Sequence, residues 1–215
     1  MEATRLIAVR HGETAWNVDA RIQGHLDIPL NDTGRWQAAR AGEALAGEPV
    51  AAIYSSDLLR AWETAQAIGR AQPDPVEPVA DRRLRERAFG LFEGRSFAEI
   101  EAATPEMALR WRQRDPGFAP PGGGENLIDF RHRIATAVHD LAARHVGQLV
   151  VLVAHGGVMD VLYRVATRQA LQAPRTWQLG NAALNRLLWT PQGLSLVGWG
   201  DAAHLQASLD DTTTG

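Results

Sequence analysis

Two aliphatic runs far apart in the chain share one ending. Leu6-Ile7-Ala8-Val9 leads into Arg10-His11-Gly12, and Leu149-Val150-Val151-Leu152-Val153-Ala154 leads into His155-Gly156-Gly157. A short aliphatic run without polar alternation, closed by glycine, reads as a strand buried on both faces. Strands of that kind belong to parallel sheets covered by helices on either side. If the two strands are parallel neighbours, both imidazoles emerge at the carboxyl edge of the sheet, where open α/β sheets place their ligands.

The rest of the sequence fits that frame. Residues 51–54, 76–79, 184–189 and 194–199 read as further strands, whereas 32–46, 57–71, 97–114, 125–145 and 157–168 have the length and spacing of helices. Asp32 and Ser56 are the expected N-caps of the first two helices. Strands and helices alternate and the chain closes on β-α-β-β. The expected fold is therefore an α/β three-layer sandwich, with a mostly parallel central sheet and helices on both faces. A single domain over residues 1–215 is expected, with a small lid around 97–124 that includes the Pro/Gly-rich stretch 116–124, and a frayed polar tail at 208–215.

Composition removes whole classes of chemistry. With 215 residues, 45% of them hydrophobic, the chain is long enough to bury a substantial core. It has no cysteine, which excludes disulfides, thiolate metal sites and a cysteine nucleophile. All 22 basic residues are arginine, so a Walker-type phosphate loop, a Schiff base and a lysine base are excluded together. A net charge of −3 offers nothing to nucleic acid or an anionic membrane. No apolar stretch approaches a membrane span, and the first strand begins almost at Met1 without the n-region and h-region of a secretion signal. A cytoplasmic protein without nucleic-acid or membrane partners is the expectation, as a monomer or homodimer.

What remains for chemistry is arginine, histidine and carboxylate. Arg10 offers a planar fork of donors that suits a phosphoryl group, and a neutral imidazole beside it can attack phosphorus, which makes His11 a candidate nucleophile. A surface Arg-His pair that merely caps a strand fits the same two residues. His155 adds a second strand-end imidazole, although a capped, hydrogen-bonded histidine would also read this way. Tyr54-Ser55-Ser56-Asp57 leads into a helix whose first turn carries Arg60, a second guanidinium near a helix N-terminus. A solvated helix face is the plain alternative. Glu86 stands among Phe89, Leu91 and Phe92, an apolar setting that suits a proton donor, unless it simply pairs with Arg83 or Arg87. His132, His139 and His145 share one expected helix without a metal-ligand set around them, and solvated roles are expected. Trp36, Trp62, Trp177, Trp189 and Trp199 read as core or core-edge aromatics. Trp111, with Arg112 and Arg114, is a candidate to face a substrate from the lid. Gly122-Gly123-Gly124 lacks dinucleotide-binding spacing and reads as loop flexibility before a helix.

In chain order, Arg10-His11-Gly12-Glu13-Thr14 with Trp16-Asn17, Arg21-Ile22-Gln23-Gly24, Asp27-Ile28-Pro29-Leu30, Thr33-Gly34, Ser55-Ser56-Asp57 with Arg60, Glu86 with Phe89-Gly90, Gly124-Glu125, and Val153-Ala154-His155-Gly156-Gly157 resemble the histidine phosphatase superfamily, in its phosphoglycerate-mutase-like branch. The similarity is colinear from Leu6 to about Leu205. It implies that His11 is a nucleophile that is transiently phosphorylated. Arg10, Arg60 and His155 would form the cationic pocket around the phosphoryl oxygens, and Glu86 would give the leaving oxygen its proton. Asn17, Gln23, Gly24 and Gly156 match positions against phosphate or substrate, although loop hydrogen bonds account for Asn17 and Gln23 equally well. No cofactor and no metal are implied, because two arginines and a protonated histidine supply the charge that Mg²⁺ supplies elsewhere. Asn126 stands where the family has a serine and is expected to start a helix.

The chain departs from the cofactor-dependent mutases of that family. Their Glu-Arg-His-Tyr-Gly is Glu86-Arg87-Ala88-Phe89-Gly90 here, Phe97 stands where they place a lysine, and the insert is short. The resemblance thus implies a metal-independent phosphomonoesterase acting on a small phosphorylated metabolite. Arg87, Arg112 and Arg114 sustain a phosphoglycerate mutase as the alternative. An inactive phosphate-binding module on the same fold is the third reading, opposed by the intact His11, Glu86 and His155.

Overall fold

A computed structural model describes residues 2–206, so the tail expected to fray, 208–215, lies outside the described residues. β1 (Thr4–Arg10), β2 (Val50–Ser55), β3 (Val79–Ala80), β4 (Leu149–Ala154), β5 (Leu184–Thr190) and β6 (Gly193–Asp201) form one sheet in the order β3-β2-β4-β1-β5-β6. The first four strands run parallel, and β5 and β6 extend the sheet beyond β1 as an antiparallel hairpin. The mostly parallel α/β sheet is as the aliphatic runs require.

Every residue of β4 is buried, and alternate side chains feed two different cores. Leu6, Ala8, Val150 and Leu152 face Phe130, Ile134 and Val138 of α6 (Leu127–Ala142) and Val158 and Leu162 of α7 (Gly156–Thr167). Ile7, Val9, Val151 and Val153 face Ala41 and Leu45 of α2 (Asp32–Leu45) and Ala61, Ala65 and Ile68 of α3 (Leu59–Arg70). The period of two in the strands thus specifies a helical layer on each face.

Element ends differ from expectation wherever another group meets the backbone better. Asn31, not Asp32, caps α2, its side chain accepting from Gly34 N–H at 2.7 Å. Ser56 does not cap α3. Asp27 Oδ1 accepts from Leu59 N–H at 2.6 Å instead, which leaves Ser56 to the site described below. The helix expected over 97–114 is two helices, α4 (Phe97–Ala103) and α5 (Pro105–Arg112). Pro105 brings no N–H and holds Thr104 outside the helical region, at φ −144°. The strand expected over 76–79 shrinks to Val79–Ala80, since Pro78 cannot donate to a ladder.

α4 and α5 carry a third, smaller core. Trp111 stacks on Phe92 with ring centroids 5.6 Å apart and also meets Phe89 and Phe97. The glycine-rich stretch after α5 is tied down rather than slack: Leu91 N–H donates to Pro121 O and Glu125 N–H to Ala88 O, both at 2.8 Å. Asn126 starts α6 as expected, accepting from Asp129 N–H. His145 is half-buried, with its Nε2 2.9 Å from Tyr54 Oη. Trp177 and Trp189 are buried, while Trp36, Trp62 and Trp199 are half-buried. Among the described residues no helix is long and apolar enough to cross a membrane.

Candidate active site

Strand register builds the site. Arg10 of β1 is opposite Ala154 of β4, so the next residues, His11 and His155, leave the sheet at the same level. His11 N–H donates to Ala154 O at 2.9 Å, and the two imidazole centroids lie 5.3 Å apart. β2 ends beside them. Ser56 N–H donates to Val153 O, and the Ser56 hydroxyl lies 2.8 Å from His155 Nε2.

His11 is 3% exposed, and its Nδ1 lies 2.7 Å from Gly12 O. A carbonyl only accepts, so Nδ1 carries the proton and Nε2 keeps its lone pair. Burial, then the guanidinium groups of Arg60 and Arg10, hold this ring well below the usual histidine pKa. The imidazole is therefore neutral near pH 7, in the form that can attack phosphorus. Burial first, then Arg60, His11 and Arg10, do the same to His155. Among cations alone the ring is neutral, and the proton expected on His155 belongs to the state in which a dianion lies between them. Ser56 Oγ accepts from Leu58 N–H at 3.3 Å and has a proton to give His155 Nε2, the arrangement that puts the ring proton on Nδ1.

The arginines are fixed before any ligand arrives. Arg60, on the first turn of α3, is 1% exposed and donates to Gly24 O at 2.8 Å and Leu26 O at 2.9 Å. Burial pushes its pKa down to about 10, so it stays charged. Arg10 donates through Nη1 to Leu179 O. Arg10 Nε, Arg60 Nε and His155 Nδ1 are buried without a partner. Buried partnerless donors are rare in folded proteins, and three at one sheet edge fit an anion.

Glu86 pairs with neither Arg83 nor Arg87. Arg83 is held by Asp81 and Asp140, and Arg87 donates to Glu125 O and Phe118 O. The Glu86 carboxylate instead accepts from Arg87 N–H at 2.8 Å and from Gly157 N–H at 2.9 Å, the latter on the first turn of α7. A Cβ on residue 157 would lie 2.2 Å from Glu86 Oε1, so the second glycine of His155-Gly156-Gly157 is what admits the carboxylate.

A pocket of about 170 Å³ gathers Arg10, His11, Asn17, Gln23, Gly24, Arg60, Glu86 and Gly156. Asn17 serves two purposes. Its Oδ1 accepts from Thr14 N–H in the capping box of α1 (Ala15–Val18), which leaves Nδ2 for the pocket. Gln23 is buried with a partnerless Oε1. Gly24 acts through Arg60, which its carbonyl holds; at φ +51°, with Glu93 Oε1 2.2 Å from any Cβ, only glycine fits there.

Past Arg10, Glu86, Phe89 and Gly156 the pocket meets a cavity of about 530 Å³, walled also by Trp111, Arg114, Phe130, Asp160, Arg175 and Leu179. Trp111 does reach this cavity. Arg112 does not, being paired with Glu101 at 2.6 Å. Sequence reasoning missed several supports: the Ser56 contact, Asn181 Nδ2 donating to His11 O at 2.8 Å, His25 Nε2 at 2.8 Å from Glu86 O, and the cavity residues Asp160 and Arg175. Ser56 alone had a positional signal, since it directly follows a strand beside the one that leads into His155. Among the described residues no three His, Asp or Glu side chains converge as a metal site.

Comparison with known proteins decides the family. The profile of the histidine phosphatase superfamily (branch 1) matches residues 6–202. The chain belongs to the histidine phosphatase superfamily. It is 38% identical over 208 residues to phosphoglycerate mutase-like protein 4 of Arabidopsis thaliana, covering 96% of this chain and 89% of that one. It is 36% identical over 210 residues to the metal-independent phosphoserine phosphatase of the same plant, covering 96% and 85%. The solved structure of Bacillus stearothermophilus YhfR superposes with a TM-score of 0.86 at 32% identity, covering 94% of this chain and all of that one. With its phosphatase relatives, this histidine phosphatase is a phosphoric monoester hydrolase.

Proposed function

We propose that this histidine phosphatase releases phosphate from a small phosphorylated metabolite in two steps at His11. One observation carries the reading: a neutral His11 with a free Nε2 lies among three buried donors that have no partner. In the first step His11 Nε2 bonds to phosphorus as the bond from phosphorus to the alcohol oxygen breaks. Glu86 gives that oxygen its proton, and the Gly12 carbonyl, hydrogen-bonded to Nδ1–H, steadies the charge that develops on the ring. In the second step water attacks phosphorus, Glu86 takes the proton released, and the bond from nitrogen to phosphorus breaks. The loose transition state needs alignment and spread positive charge, which rigid Arg10 and Arg60 supply, with His155 protonated once the dianion is bound. Asn17 Nδ2, Gln23 and the backbone of Gly156 at the start of α7 complete the phosphoryl pocket. The scheme uses no metal and no cofactor.

Hydrolysis is favoured over a mutase because the three cations that a mutase would turn towards its substrate are engaged. Arg87 holds two carbonyls, Arg112 holds Glu101, and Arg114 holds Asp160 and Leu171 O. In this reading the chain is one domain, residues 97–124 form its small lid, and Trp111 is the part of the lid that meets substrate. We place the protein in the cytoplasm, where phosphorylated metabolites are held, as a monomer or homodimer with no nucleic-acid or membrane partner. Turnover of p-nitrophenyl phosphate after exhaustive dialysis against EDTA tests the proposal. Undiminished phosphate release is expected. No turnover would return the inactive binding module, and recovery only with added Mg²⁺ or Zn²⁺ would replace the mechanism.

A further inference from the structure

Arg175 differs from the other cations of the larger cavity. It lies on the wall of the 530 Å³ cavity, in the loop between α7 and β5, and is exposed. Among the described residues its guanidinium has no hydrogen bond and no carboxylate partner. The same wall holds two carboxylates, and neither pairs with Arg175, although Asp160 is held through Oδ2 alone and its buried Oδ1 has no partner. Asp160 accepts from Arg114 at 2.7 Å and Arg164 at 2.9 Å, and Glu86 accepts from two backbone N–H groups. Arg175 is near enough to Arg10 and Arg114 to lower the pKa of each, whereas Glu86 and Asp160, which offset the charge on those two, make no ion pair with Arg175 itself. The loop holds its place on both sides of this residue. Arg114 donates to Leu171 O at 2.7 Å, and buried Trp177 stacks on Tyr163 with centroids 4.0 Å apart.

A phosphoryl group in the smaller pocket satisfies Arg10 and Arg60, while the alcohol part of the substrate extends past Phe89 into the larger cavity. There it meets an unmatched positive charge. We propose that Arg175 is a specificity-determining residue that binds a carboxylate on the alcohol part, so that the preferred substrates are phosphomonoesters of hydroxy acids. The planar fork of a guanidinium suits a carboxylate, and an arginine with no protein partner breaks no ion pair to bind one, giving up only hydration and side-chain freedom. This inference rests on the reading of the small pocket as the phosphoryl site.

A matched pair of probes tests it. 3-Phosphoglycerate and glycerol 3-phosphate differ only in a carboxylate against a hydroxymethyl group. The expected result is a preference in kcat/KM for 3-phosphoglycerate that falls about tenfold in Arg175→Gln, chiefly through KM, with Arg175→Lys between the two. An equal ratio in Arg175→Gln and the unsubstituted protein, or no preference in the latter, overturns it. Calorimetric binding of both probes to His11→Ala, with and without Arg175→Gln, reads the same preference without turnover. Failure of hydrolysis and failure of carboxylate recognition are thereby told apart.

Discussion

Gly157 and Glu86 act as one unit: the residue without a side chain admits the carboxylate, and its N–H holds it. Two substitutions should therefore share a signature. Glu86→Gln is expected to slow the first-turnover phosphorylation of His11 by alkyl phosphates about 10²- to 10⁴-fold more than by p-nitrophenyl phosphate, whose leaving group hardly needs a proton. Gly157→Ala should show the same leaving-group dependence, because the new Cβ displaces the carboxylate. Rapid-quench phosphorylation rates check both, and equal losses on the two esters would remove Glu86 from the acid role. At this scale the sequence was legible where chemistry coincides with a strand end. Arg10, His11 and His155 announce themselves in that way. Asn181, His25 and Arg175 do not, because a loop residue has no fixed spacing from a site that only the fold assembles.

Among elements, β1 and β4 were legible as aliphatic runs, and their register brings the histidines together. Helix ends were less so. Asn31 and Asp32 are both good caps, and the choice depends on which residue takes the extended conformation before the first turn. The break between α4 and α5 was readable at Pro105, although the spacing of apolar residues continues through it. Asn126 caps α6 and so holds the helix that packs Phe130 and Ile134 against the sheet. Asn126→Ala is expected to cost about 1 kcal/mol in urea unfolding. A change within error would show that Asp129 and the first turn make no use of the cap.

The whole molecule carries its buried histidines as a stability term. In the unfolded chain His11 and His155 titrate near pH 6.5, whereas in the fold both are held well below it. Below that pH the unfolded chain takes up protons that the folded chain refuses, so stability falls as pH falls. Each ring contributes about 1 kcal/mol per pH unit once the unfolded form is protonated, and half-buried His204 adds to the same trend. Urea unfolding should show lower stability at pH 5 than at pH 6, and His11→Gln should make that difference smaller. An unchanged pH slope in His11→Gln would mean that His11 is not held neutral. A neutral His11 with its lone pair on Nε2 is also the centre of the mechanism. Its most direct test is to trap the intermediate with ³²P-labelled substrate and map the labelled peptide. The account predicts a phosphoramidate on His11 that survives base and is lost in acid; label on a serine, or on His155 alone, would contradict it.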